Sequence, residues 1–334
     1  MNKVGIIVAM EEEQEEILKL MTNIEEKEIY GVTFKIGNIE NNKVIVAKCG
    51  VGKVNAARVT QILIDNLKVK CIINVGAAGA LNPLLNIGDI VIGEKLIQHD
   101  FDITAFDHDK GYITGVGDYL YSDSSLIKKF ENSAKALELE EKLSSIQTGK
   151  NKLLENQSFK VIKGIIATGD IFCTDIMMKN KIYAKFNADC VEMEGAAIAQ
   201  ICYLDKIPFI VIRSISDSPN GKNEIDFDRF VQLASKRCAK ILKEFLKEKW
   251  NWIIENCGGT MGLEDIKKAF EIKKGEDYEM YSNWLGTENL NLNICDLEDL
   301  NFRLKKLPRI FKESYEYGLE PTERSIKLLE REYK

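Results

Sequence analysis

Two acids flank a methionine near the middle of the chain, in Val191-Glu-Met-Glu-Gly-Ala-Ala-Ile-Ala199. Ala196, Ala197 and Ala199 suit a tightly packed helix, and carboxylates are poor residues to bury beside one. An acid at the mouth of an apolar segment must be hydrogen-bonded or must do chemistry. Glu192 and Glu194 therefore read either as first-turn helix acids favoured by the helix dipole or as reactive groups. Comparable residues follow other predicted strands. Glu11-Glu12-Glu13 follows the first, Cys49-Gly-Val-Gly-Lys53 the next, and then come Gly76-Ala-Ala-Gly79, Thr168-Gly-Asp-Ile-Phe172 and Ser214-Ile-Ser-Asp217. Ligands of α/β sheets gather outside the carboxyl ends of the strands. Acids, glycines and one aromatic thus converge on one edge.

Taken singly, several of these motifs have plainer readings. The glycine pairs suit tight strand-to-helix turns. Gly50-Val-Gly-Lys53 is not a phosphate-binding P-loop, because Val54 stands where Ser or Thr is required. Gly76-x-x-Gly79 could let backbone amides approach a flat ring or a ribose. His99-Asp-Phe-Asp102 has metal-like residue types, but no second histidine stands at ligand spacing, and a surface loop is the better reading.

The elements that must hold these groups alternate between strand and helix over residues 3 to about 248. Apolar, β-branched runs at Val4–Val8, Lys43–Ala47, Cys71–Val75, Ile90–Ile92, Val161–Ala167 and Phe209–Ile215 suit strands buried on both faces. Helical spacing marks Glu11–Met21, Val54–Leu67, Gly195–Leu204 and Phe227–Phe245. The alternation predicts an α/β fold, a three-layer α/β/α sandwich around a central mixed, mostly parallel sheet. A polar insertion at about 128–159 reads as a helix at 125–143 followed by a flexible stretch at 147–158. The composition shifts near Trp250. Residues 250–262 read as a linker and 263–334 as a small all-α accessory domain, cut by Pro308 and Pro321.

Bulk properties exclude several classes. The net charge is −6 over 334 residues, so no basic face points to nucleic acid. The tail from 260 carries 13 Lys or Arg and 16 Asp or Glu, and it does not change that conclusion. No apolar run reaches the roughly 18 residues that span a bilayer. The first apolar stretch reads as a buried strand rather than a signal peptide. The eight scattered cysteines form no Cys-x-x-Cys pair and fit reduced core thiols in a cytoplasm. Neither a metal nor a cofactor is expected.

Seven motifs occur in order: Gly5-Ile-Ile-Val-Ala-Met-Glu-Glu-Glu13, Gly50-Val-Gly-Lys-Val-Asn-Ala-Ala57, Asn74-Val-Gly-Ala-Ala-Gly79, His99-Asp-Phe-Asp-Ile-Thr-Ala-Phe106, Thr168-Gly-Asp-Ile-Phe172, Val191-Glu-Met-Glu194 and Arg213-Ser-Ile-Ser-Asp217. Together they resemble the 5′-methylthioadenosine/S-adenosylhomocysteine nucleosidases of the nucleoside phosphorylase superfamily, over about residues 1–248. The resemblance implies a nucleosidase domain at 1–249, a nucleoside phosphorylase-like sheet, and a homodimer acting on a small nucleoside. It implies that Asp217 protonates adenine N7 with Ser216 positioning it, so Asp217 should be partly desolvated. Glu13 would activate the attacking water. Glu194 would hold the ribose hydroxyls, with Met193 against the sugar. Phe172 would stack on adenine, the Cys173 backbone would bond its edge, and Met10, Ala77 and Gly79 would line the pocket. Ile103 and Phe106 match a loop that closes the partner's alkylthio pocket. Three alternatives stay open: a futalosine or aminodeoxyfutalosine hydrolase, a phosphorolytic relative, and a nucleoside-sensing module that signals through the C-terminal segment.

Overall fold

The computed structural model describes residues 3–148, 159–217 and 223–247, with backbone alone for 138–148 and 223–229, and two short strands beyond. The chain divides into two compact units, Met1–Gly259 and Thr260–Lys334. In the first unit the strands are β1 (Lys3–Val8), β2 (Thr22–Ile29), β3 (Val32–Ile39), β4 (Asn42–Lys48), β5 (Cys71–Ala80), β6 (Ile90–Gln98), β7 (Leu120–Tyr121), β8 (Val161–Thr168), β9 (Cys190–Glu192) and β10 (Phe209–Asp217). The helices are α1 (Glu11–Leu18), α2 (Lys53–Asp65), α3 (Ser124–Thr148), α4 (Ile176–Phe186), α5 (Gly195–Leu204) and α6 (Asn223–Phe245).

All ten strands form one mixed sheet in the order β10-β6-β8-β9-β5-β1-β4-β3-β2, with β7 paired to β6. An additional β10–β5 pairing links the first strand of that path to the fifth. Strands β5, β10, β6, β8 and β9 therefore close a ring, and β1, β4, β3 and β2 extend from it as an open wing. The sheet is mixed as expected, with five parallel and five antiparallel pairings. Parallel pairing joins β1 to β4 and β5, β10 to β5, and β8 to β6 and β9. The other five pairings are antiparallel, because the β2–β4 meander and the closure of the ring each reverse direction.

Side-chain alternation along the strands builds the three layers. Val4, Ile6 and Val8 face one way, with Ile73, Ile210 and Ile212, and pack under α1, α3 and α6. Ile7, Ile45, Ile72 and Val211 face the other way and pack under α2 and α5. Every residue of β10 is buried, as a strand covered on both faces requires. The small residues Ala196, Ala197 and Ala199 let α5 lie close to this second layer. A third apolar cluster seats Ile182 and Phe186 of α4 against Leu81, Ile97, Ala167 and Val191.

The expected strands and helices are present, with ends shifted by a few residues. Elements β2, β3, β7, β9 and α4 lay outside the sequence reading. Strand β2 is nearly all exposed and carries Glu25, Glu26, Lys27 and Glu28, a composition suited to a protected sheet edge rather than a buried strand. Helix α3 takes up the first part of the polar insertion, and residues 149–158 lie outside the described residues. So do the helical faces expected within 263–334. In the second unit, Thr260–Met261 (β11) lies in the expected linker and pairs antiparallel with Leu292–Asn293 (β12).

Phe130 of α3 and Phe245 of α6 are fully buried, with ring centroids 5.7 Å apart. They join two helices of one layer over the sheet. The prediction is that Phe130→Ala removes about 3–5 kcal/mol of stability, read as a lower urea midpoint. An unchanged midpoint would show that this contact does not secure the layer.

Candidate active site

The first strands end where a cavity of about 290 Å³ opens. It is lined by Glu13 and Asp217, by Met193 and Glu194, and by Met10, Ala77, Gly79, Phe172 and Cys173. Nine of the twelve residues singled out from the sequence thus share one wall. Ser216 lies behind it, fully buried. Ile103 and Phe106 do not line this cavity, and Phe106 is 75% exposed. Phe172 lines the cavity and is half exposed.

Glu13 is the third residue of α1 and is 4% exposed. Its Oε2 accepts the backbone N–H of Ala9 at 2.9 Å and of Met10 at 3.0 Å, and its Oε1 accepts that of Ala77 at 3.0 Å. The carboxylate closes the N-terminus of its own helix and is tied to β5 at the same time. Burial raises its pKa, against the opposing pull of the Ala77 N–H and the Arg213 guanidinium. A raised carboxylate is a stronger base, which suits proton abstraction from water.

Asp217 ends β10 and is also buried. Its Oδ1 lies 3.1 Å from Ser216 Oγ, whose hydroxyl also lies 3.3 Å from the Ala78 carbonyl. Its Oδ2 accepts from Lys179 Nζ at 2.7 Å. Two glycines make room for the two acids. A Cβ on Gly76 would stand 2.7 Å from Glu13 Oε1, and one on Gly79 would stand 3.0 Å from Asp217 Oδ2. The spacing read from sequence as room for a ligand is, first, room for carboxylates. Glycines three positions apart are about 10 Å apart along a strand, so Glu13 and Asp217 approach β5 at separate points.

The two glutamates of the central motif have different environments. Glu192 accepts the N–H groups of Glu194 at 3.0 Å and Gly195 at 2.7 Å, so it caps α5. It also receives the Thr168 hydroxyl and the Arg213 guanidinium. Glu194 faces the cavity, with Oε1 accepting the Gly52 N–H at 2.9 Å. Arg213 is 4.0 Å from Glu194 and donates to Asn74 Oδ1 at 2.6 Å. Burial works against its charge, but Glu192 and Glu194 hold the guanidinium protonated. Arg213 was quoted in a sequence motif without a role, and its hydrophobic neighbours gave no sign that it anchors both glutamates.

The His99-Asp-Phe-Asp102 segment is turned to other work. Asp100 pairs with Lys53 Nζ at 2.6 Å and accepts the Asp170 N–H at 2.9 Å. Asp102 accepts from Thr104. His99 packs its ring against Gly169. Among the described residues no group of three His, Cys, Asp or Glu could hold a metal ion.

Comparison with known proteins places this geometry. The model of the phosphorylase superfamily matches residues 3–247. A 5′-methylthioadenosine/S-adenosylhomocysteine nucleosidase of Bacillus cytotoxicus is 34% identical over 247 residues, covering 74% of this chain and 99% of the relative. The solved S-adenosylhomocysteine nucleosidase of Streptococcus pyogenes, in complex with 5-methylthiotubericidin, is 35% identical with a TM-score of 0.65, covering 74% of this chain and 96% of that one. The futalosine hydrolase of Helicobacter pylori is 32% identical with the same TM-score, covering 74% of this chain and 98% of that one.

Glu194 gives the site a pH signature. Burial, with Glu192 beside it, raises its carboxyl from 4.5 to about 8. Its contribution to stability is therefore complete below the unfolded value and is lost as pH rises through the folded one. The prediction is that Glu194→Gln removes this loss. Its unfolding free energy should gain on the parent between about pH 5 and about pH 8, by on the order of 3 kcal/mol. Urea titrations across that range check it, and parallel pH dependences in the two proteins would contradict it.

Proposed function

The chain belongs to the phosphorylase superfamily and, within it, to the 5′-methylthioadenosine/S-adenosylhomocysteine nucleosidases, and on that premise we propose that it hydrolyses the N-glycosidic bond of these two nucleosides, releasing adenine and the thioribose. The observation that carries this reading is the placement of two buried carboxylates, Glu13 and Asp217, on one cavity with opposite surroundings. Purine is a poor leaving group until N7 is protonated, and C1′ gains positive character as the bond lengthens. Asp217, steadied by Ser216 and lying beside Gly79, is the proton donor to N7. Glu13, held by three backbone N–H groups and raised by burial, takes the proton from the attacking water. Glu194 holds the ribose hydroxyls, and Phe172 offers a ring to the base.

Hydrolysis is favoured over phosphorolysis because the cavity wall carries Glu13 and Glu194 and, among the described residues, no lysine or arginine for phosphate. The likeness to a futalosine hydrolase favours a second substrate class with the same glycosidic bond and a different 5′ substituent. The reading also makes the enzyme a cytoplasmic homodimer, with Ile103 and Phe106 serving the partner's pocket. Their position off this cavity, with Phe106 largely exposed, supports that arrangement.

Two measurements test the assignment. Asp217→Asn and Glu13→Gln should each bind nucleoside yet lower kcat for adenine release by about 10²–10⁴-fold; turnover near the parent rate in either variant would remove that residue from its role. The parent enzyme should release adenine and free methylthioribose in phosphate-free buffer. A strict requirement for phosphate would instead support the phosphorolytic reading.

A further inference from the structure

Helix α4 carries a buried cation. Lys179 is 2% exposed, on the same helix face as buried Ile182 and Phe186. A charge on an apolar face must find a partner, and Lys179 Nζ donates to Asp217 Oδ2 at 2.7 Å. Lys179 does not line the cavity, whereas Asp217 does. The ammonium therefore touches the carboxyl from behind, on the oxygen that Ser216 leaves open. Each carboxyl oxygen then has one anchor, and each keeps a lone-pair direction for a ligand.

We propose that Lys179 is a positioning residue for proton transfer from Asp217 to the leaving purine. The inference rests on Asp217 being the acid of the reaction proposed above. In that step the carboxyl proton of Asp217 moves to N7, and the electron pair of the C1′–N9 bond passes into the purine ring. Water gives a proton to Glu13 and its oxygen bonds to C1′. The transfer leaves a carboxylate in a buried site, where an isolated charge is unfavourable. Beside Lys179 that charge is formed within an ion pair, already oriented, at the moment it develops. The lysine also fixes the carboxyl's rotation, since Oδ2 cannot leave the ammonium without exposing a buried charge.

The test separates this role from a structural one by changing the leaving group. Lys179→Met keeps an unbranched side chain without the charge. It is assayed on 5′-methylthioadenosine and on a 5-methylthioribosyl 4-nitrophenolate, whose leaving group departs without a proton. The expected result is a loss in kcat of about 10²-fold on the nucleoside, with KM and the nitrophenyl rate changed by less than about threefold. Equal losses on both substrates would overturn the proposal, since a distorted site slows both. The double variant Lys179→Met/Asp217→Asn should be no slower on the nucleoside than Asp217→Asn alone, and multiplying losses would also overturn it. Should Lys179→Met not fold, Lys179→Arg keeps the charge while displacing the donor. It should lower kcat on the nucleoside alone, and unequal substrates remain the deciding sign. A parent enzyme that leaves methylthioadenosine intact would overturn the functional reading rather than this one.

Discussion

The buried guanidinium of Arg213 is the constraint around which the site is arranged. It stands in β10 and is 1% exposed. It reaches Asn74 in β5 and Glu192 in β9, and Glu192 in turn holds Thr168 of β8 and the first amides of α5. Four strands of the closed ring and one helix N-terminus thus meet at one ion pair. A charge so deep persists only when its partners are complete, and removing one partner leaves the other stranded at a cost of about 3–5 kcal/mol. Both glutamates border the cavity, and the network takes up Glu192, which caps α5 and pairs with Arg213. It also explains why the two glutamates that flank Met193 are not interchangeable: Glu192 is consumed by the fold, and Glu194 is available to a ligand.

The two acids assigned to chemistry are separated by environment rather than by type. Glu13 sees backbone N–H groups and a distant guanidinium, and burial dominates its titration. Asp217 sees a hydroxyl and an ammonium. Strand β5 separates them physically, with a glycine opposite each carboxylate where a methyl group would collide. The strand that carries no acid of its own is therefore the one that sets the distance between them.

The expected α/β/α layering was legible because buried strands are written in β-branched runs, as at Val4–Val8 and Phe209–Ile215, and because the side-chain period of two divides them between two helix layers. Glu13 and Asp217 were legible as carboxylates following such runs, and Glu194 as an acid at the mouth of the small-residue segment that begins at Gly195; their roles were what the resemblance implied. Strand β2 was not legible, since an exposed edge is polar and lacks the apolar signal; β3 alternates apolar and polar residues and buries Val32, Phe34 and Ile39, but has no continuous apolar run. Helix α4 escaped with them, and with it Lys179, although a lysine three and seven positions before Ile182 and Phe186 is on an apolar face by helical spacing alone.

The sequence by itself determined which residue types stand at the strand ends and which segments must be buried, because both follow from local periodicity. Only the tertiary structure decided which of those groups touch. The β10–β5 pairing that closes the ring joins residues more than a hundred positions apart, as do Arg213 with Asn74 and Gly52 with Glu194. Lys179 and Asp217 lie 38 apart. Such contacts depend on how strands close upon one another, and no local pattern encodes that. The division of labour between Glu192 and Glu194, the purpose of Gly76 and Gly79, and the cation behind Asp217 all belong to that second level.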